Sequence, residues 1–292
     1  MNKVTSAKLN VFSSMAIFGT IGIFVRYIPL PSSITAMVRG MIGTPFLLLV
    51  LLLSKKSLSK DDIRRNLLPL IVSGIMLGFN WILLFEAYRY TTVATATLCY
   101  YFAPIILVAA SPFVFKEKMT AKKLLCIFVA LAGMVFVSGV AENGIPSAAE
   151  LKGVLLALAA AALYASIVMV NKTITNISAY DKTIMQLGTS ALVLLPYNFI
   201  TGSFSGIELS PFILLMLLLV GIVHTGIAYF MYFGSMEHLD SLTLAVVSYI
   251  DPVVAVILSA LLLKEPMGLY NVIGAVLILG AALVSELPEK KK

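Results

Sequence analysis

Four ionisable side chains interrupt otherwise apolar runs: Arg39, Glu86, His224 and Asp251. Holding such a group in mid-helix within lipid costs about 2.5–3.5 kcal/mol on insertion scales, so each is a candidate for function before packing. Arg39 suits a substrate carboxylate or an acidic partner; a snorkelling or interhelical-bonding arginine is the alternative. Asp251 stands directly before Pro252, which has no backbone N–H and is expected to free the carbonyl of Val247, concentrating polarity where a substrate or a proton can bind. Glu86 falls near the outer end of its helix, where reaching interfacial water or pairing with Arg89 at i+3 competes with a functional role. His224 offers an imidazole that either exchanges a proton or serves as a hydrogen-bonded packing group. Asp251, Glu86 and His224 are therefore the candidates for proton coupling.

Neutral groups join them. Asn80 and Trp81 lie in one apolar run, Tyr100 and Tyr101 in the next, Tyr229 and Tyr249 in two later ones. Aromatic faces attract organic cations and stack on flat molecules, so these residues are suitable walls for a cavity within the bilayer. Asn80, Trp81, Tyr101, Tyr229 and Tyr249, with Arg39, form the candidate substrate-binding set, and Tyr164 and Gln186 are expected to complete it. An interfacial aromatic belt is the alternative; it fits Tyr27, Tyr88, Tyr90 and Tyr270 near span ends better than Trp81, Tyr101 or Tyr249.

The elements that must position these groups are long and apolar. The chain has 292 residues, of which 60% are hydrophobic and 12% charged, and its mean hydropathy is +1.01, far from the usage of soluble domains. Spans are expected at residues 8–28, 33–53, 67–88, 92–115, 124–140, 151–170, 183–200, 211–231, 242–263 and 269–285, each able to cross about 30 Å of hydrocarbon. The stretch TTVATATLCYYFAPIILVAASPFVFKE, residues 91–117, recurs without gaps as LDSLTLAVVSYIDPVVAVILSALLLKE, residues 239–265. Pro104 thereby falls on Pro252, Tyr101 on Tyr249 and Glu117 on Glu265, while Asp251 falls on Ala103 and Glu86 on Gly234. A duplicated membrane helix with proline at mid-depth points to a transporter built from internal repeats. The fold class expected is an all-α integral membrane protein of about ten transmembrane helices in two inverted five-helix repeats. Residues 8–140 form the first repeat, 141–150 the linker and 151–286 the second repeat.

Lys and Arg in the short loops orient the chain. With a cytoplasmic N-terminus, only Arg26, Arg89, Lys152 and Lys264 fall outside, and both termini are cytoplasmic. The net charge of +7 is then a topology signal, and nucleic-acid binding is not expected. Cys99 and Cys126 lie in separate apolar runs and read as small buried side chains. The basic, apolar N-terminus is read as a first span, because the run is too long for a signal peptide and lacks a small-residue cleavage site.

The pattern resembles the ten-helix EamA branch of the drug/metabolite transporter superfamily. The resemblance covers nearly the whole chain and rests on the five-plus-five architecture, FGTIGIFVRY in the first span, ITAMVRGMIGTPFLLL in the second, Tyr-x-x-Pro in the Ala-rich fourth and ninth, and the Lys-Glu that ends both. It implies a single-chain secondary transporter of the cytoplasmic membrane, commonly an exporter of amino acids or other small metabolites. The family often has Trp-Gly where this chain has Phe18-Gly19, a departure that reshapes the aromatic wall and adds Phe18 to the substrate-binding set.

Glycine-rich phosphate loops, HExxH and GxSxG are absent from the sequence, so a gradient is the expected energy source, with protons as the coupling ion or simple facilitated diffusion. No enzyme activity, cofactor or metal site is expected. The expected function is alternating-access transport, in the export direction, of a small polar metabolite such as an amino acid, by a monomer whose partners are the substrate and the lipid bilayer. Organic cations and drug-like compounds are the alternative substrates. An intramembrane enzyme would need acids, His or Cys clustered at one depth, and a channel would show rings of like charge.

Overall fold

The structure is a computed structural model that describes residues 3–116, 119–138, 146–236, 238–239 and 241–287. Much of the linker expected at 141–150, and Glu117 of the first Lys-Glu corner, lie outside the described residues. The helices are α1 (Lys3–Arg26), α2 (Ser32–Leu53), α3 (Lys60–Arg65), α4 (Leu67–Tyr90), α5 (Val93–Tyr100), α6 (Ala103–Val114), α7 (Ala121–Val137), α8 (Ala148–Asn171), α9 (Ala179–Ile200), α10 (Pro211–Gly221), α11 (Ala228–Met236), α12 (Ser241–Ser248), α13 (Ile250–Leu262) and α14 (Leu269–Glu286). A π-helical turn, Ile222–Ile227, joins α10 to α11. Among the described residues there is no strand, and seven helical stretches are long and apolar enough to cross a bilayer. The chain is thus an all-helical membrane protein. Three other apolar helices are shorter, α7 with 17 residues, α13 with 13 and α14 with 18.

Hydroxyl residues start the helices. The side chains of Thr92, Thr120, Ser147, Ser178 and Ser210 each accept from a backbone N–H of the first turn that has no intrahelical partner. Ser147 and Glu150 close a reciprocal capping box at the start of α8. Both Lys-Glu corners use one backbone device: Lys116 and Lys264 stand in the left-handed region, at φ 56° and 54°.

The structure corrects the reading of residues 92–115 and 242–263 as single helices. Each is broken in two, at Tyr101–Phe102 between α5 and α6 and at Tyr249 between α12 and α13. Proline explains both breaks, because neither Pro104 nor Pro252 can donate to the carbonyl one turn earlier. The basic loop after α2 also holds a short helix, α3, whose acids lead and whose arginines trail, as the helix dipole favours.

Packing is by close helix pairs: α4 on α8, α7 on α14, α9 between α2 and α4, and α1 on α11 and α13. Small residues permit this, among them Ala157, Ala160 and Ala161 of α8, all fully buried.

Candidate functional site

The π turn orients two of the polar candidates. A π turn adds a residue to the helical turn and disturbs the regular i→i−4 ladder, leaving carbonyls for side chains to satisfy. Thr225 Oγ1 donates to Val220 O at 3.1 Å, and His224 Nδ1 lies 3.2 Å from Leu219 O, both five residues back. These bonds turn the two side chains to different neighbours. His224, 1% exposed, reaches α1, with Nε2 2.8 Å from Thr20 Oγ1 and its ring edge-on to Phe24. Thr225 reaches α2, where its oxygen accepts from Arg39 Nε at 2.7 Å. The guanidinium of Arg39 lies over the only tryptophan of the chain, 4.1 Å from the centroid of Trp81.

The broken helices form the second part. Tyr101, in the break between α5 and α6, donates its hydroxyl to Asp251 Oδ2 at 2.8 Å and approaches Ser248 O at 3.3 Å. Ser248 is the residue four before Pro252, so it is the Ser248 carbonyl, and not that of Val247, that proline leaves free. Tyr101 also sits 6.1 Å from the ring of Tyr249 and 6.3 Å from that of Tyr100. Tyr100 in turn lies 5.6 Å from Tyr164, which is 40% exposed, and its hydroxyl donates to Asn80 Oδ1 at 3.3 Å. Asn80 is fully buried and donates to Ala160 O of α8 at 2.7 Å.

A third cluster is aromatic. Phe18 of α1 packs edge-on to Tyr229, at 5.2 Å, and Tyr229 to Phe233, at 5.6 Å. Helix α1 comes close enough here that a Cβ on Gly19 would stand 2.4 Å from the backbone oxygen of Asp251. Only glycine permits that approach.

Of the residues singled out in the sequence, Tyr101, Tyr249, Asp251, Asn80 and Tyr164 are linked through Tyr100 and Tyr101, Arg39 meets Trp81, and Phe18 meets Tyr229. Asn80 and Trp81 are buried in helix packing, where Asn80 accepts from the Tyr100 hydroxyl and Trp81 lies under Arg39. Two residues lie apart. Gln186, expected to complete the cavity, instead joins helices by donating to Ser73 Oγ and Asn171 Oδ1. Glu86 accepts from Ser32 Oγ at 2.6 Å and stands 3.7 Å from Arg89, the i+3 pair anticipated. Sequence reasoning missed Thr225 and Thr20, since a lone threonine in an apolar helix carries no signal of its own.

One end of the molecule is laced by polar contacts. Glu265 accepts from the backbone N–H of Val93 at 2.8 Å and from Ser259, and stands 4.0 Å from Arg26. Lys152 bonds the Tyr90 hydroxyl at 2.8 Å. A cleft of about 370 Å³ there is lined by residues including Arg26, Arg89, Glu150 and Lys264. The described residues include no group of three metal-ligating side chains.

A model of the EamA-like transporter family matches residues 5–139 and again residues 151–286. The chain is 32% identical over 276 residues to the uncharacterized transporter YxxF of Bacillus subtilis (strain 168), covering 94% of this chain and 87% of that protein. It is 24% identical over 251 residues to the uncharacterized transporter YoaV of the same organism, covering 85% of each. A crystal structure superposes with a TM-score of 0.67 at 20% identity, over 97% of this chain and 96% of that one, a likeness of fold.

Proposed function

The chain belongs to the EamA-like transporter family, and from that premise we propose that it is a secondary transporter exporting a small polar metabolite, such as an amino acid, across the cytoplasmic membrane. The proposed machine has ten helices in two inverted five-helix repeats, which rock about an interior site and open it alternately to each side. Both termini are assigned to the cytoplasm. The grouping of Arg26, Arg89 and Lys264 around one cleft, with Lys152 bonded to Tyr90 of its lining, supports that orientation, because these are the four basic residues that loop charge assigns to the outside.

The observation that carries the substrate class is the presence of two opposite ionisable groups among the helices, Arg39 over Trp81 and Asp251 bonded to Tyr101. Among the described residues neither forms an ion pair. Arg39 has its terminal nitrogens to offer a carboxylate, and Asp251 has its second oxygen to offer an ammonium group. A zwitterion satisfies both poles at once and relieves the cost of one buried and one half-buried charge without ion-pair partners. Asp251 is also the favoured carrier of a coupling proton, its carboxylate held by Tyr101 and able to exchange one.

A second reading has its own observation. Tyr101, which bonds the acid, packs ring to ring with Tyr100 and Tyr249, and Tyr100 with Tyr164, an aromatic setting that also attracts an organic cation. A thermal-stability screen of the purified protein against amino acids, organic cations, nucleobases and sugars separates the two, since a ligand that binds only the folded state raises stability with RT ln(1 + [L]/Kd). At equal concentration, zwitterionic amino acids should raise Tm more than either the matching amines or the matching acids. Stabilisation by amines alone would move the assignment to organic cations and remove Arg39 from it.

A further inference from the structure

Arg39 enters the interior with one of its five donors committed. It is only 5% exposed, its Nε donates to Thr225 Oγ1, and among the described residues its two terminal nitrogens have no hydrogen-bond or ion-pair partner. A buried guanidinium with an open pair of donors calls for an anion. The partner that holds Nε is itself fixed on all sides. Thr225 is fully buried, and its hydroxyl proton goes to Val220 O, so its oxygen is left to act as acceptor. Its methyl group lies against α2 one turn beyond Arg39, where a Cβ on Gly43 would stand 2.4 Å from Thr225 Cγ2. Both arms of the threonine are seated, and the π turn aims it.

We propose that Thr225 is a positioning residue that sets the specificity of Arg39: by occupying Nε it excludes side-on pairing and leaves the Nη1/Nη2 edge as the single fork offered to a planar carboxylate. The inference rests on the reading of Arg39 as substrate anchor and adds the geometry of recognition. A guanidinium can grip a carboxylate through Nε and one Nη or through both Nη atoms. With Nε taken and Cζ seated 4.1 Å over the Trp81 ring, only the second grip remains. Removing the hydroxyl frees Nε inside a buried site, and the guanidinium must turn to satisfy it, which takes the fork out of register.

Trp81 supplies the readout, because its emission is the whole tryptophan signal of the protein and the guanidinium lies on its ring. The full-length protein in detergent is titrated with sodium acetate, a planar two-oxygen anion, against sodium chloride at matched ionic strength. The expected wild-type result is a saturable change in Trp81 emission with acetate in preference to chloride, absent in Arg39→Gln. Thr225→Ser, which keeps the hydroxyl, should retain that curve. Thr225→Val, which keeps the shape, and Thr225→Ala, which tests the same loss with less bulk, should raise the acetate half-saturation by about tenfold, as loss of a hydrogen bond to a charged group predicts, and erase the preference over chloride. Wild-type acetate curves in both Thr225→Val and Thr225→Ala would overturn the role of Thr225 and leave Arg39 as anchor. Identical responses in wild type and Arg39→Gln would remove Arg39 as an anion site and this inference with it.

Discussion

Asp251 carries its charge at a point where proline has thinned the backbone ladder, and its one described partner is a tyrosine hydroxyl that a neutral amide oxygen can also accept. Asp251→Asn therefore preserves the Tyr101 bond and removes only the exchangeable proton. In proteoliposomes it should abolish proton-driven uphill flux while sparing substrate exchange, and unchanged proton dependence would take Asp251 out of the coupling mechanism. Glu86 is a different kind of acid. Bonded to Ser32 and close to Arg89, it ties α2 to the end of α4, so Glu86→Gln, which retains an acceptor for Ser32, should change flux less than twofold by the measure of an exposed ion pair. A coupling role for Glu86 would instead appear as lost proton dependence in that variant.

Among the elements, the two proline breaks and the π turn do the positioning. Pro252 leaves Ser248 O open, and Tyr101 of the other broken helix approaches it. Pro252→Ala restores a backbone donor that competes for the same carbonyl and favours one continuous helix across Tyr249. The expected outcome is a higher Tm with a lower rate of transport, the two moving in opposite directions. Wild-type flux in a stabilised Pro252→Ala protein would show that the break is not needed for function. The prolines were legible in the sequence and so was their duplication, but periodicity reads an apolar run through a break of one or two residues. The π turn was hidden for the same reason: inserting one residue shifts the phase of the helix without altering composition.

For the whole molecule, the polar lacing at the Glu265 end joins separate helices. Glu265 reaches from the corner after α13 to the first turn of α5, so α5 and α13 cannot separate there without breaking that bond. The alternating access proposed above requires that they separate. Val93 is fully buried, so Val93→Cys, in a background with Cys99 and Cys126 replaced, reports opening through its reaction with a membrane-impermeant thiol reagent. Adding Glu265→Ala should speed labelling by about tenfold, the population shift that loss of one charge-assisted hydrogen bond implies. Equal labelling rates with and without Glu265 would show that this contact is not a latch.

Composition and hydropathy alone made this a membrane protein, because apolar runs of bilayer length leave a chain no other solvent. The sequence also carried the family resemblance, the duplicated proline helices and the ionisable groups, which stand out because charge in lipid is costly. Which of those groups meet was decided only in three dimensions. Tyr101 and Asp251 are 150 residues apart, Arg39 and Thr225 are 186 apart, and nothing local links either pair. Glu86 stood out in the sequence as a charge and Gln186 as a neutral polar group, and only tertiary packing shows that they bond Ser32, and Ser73 with Asn171. Burial of a polar group demands a partner, and the sequence states the demand; the helix crossings, the broken turns and the phase shift of one π turn select who answers it.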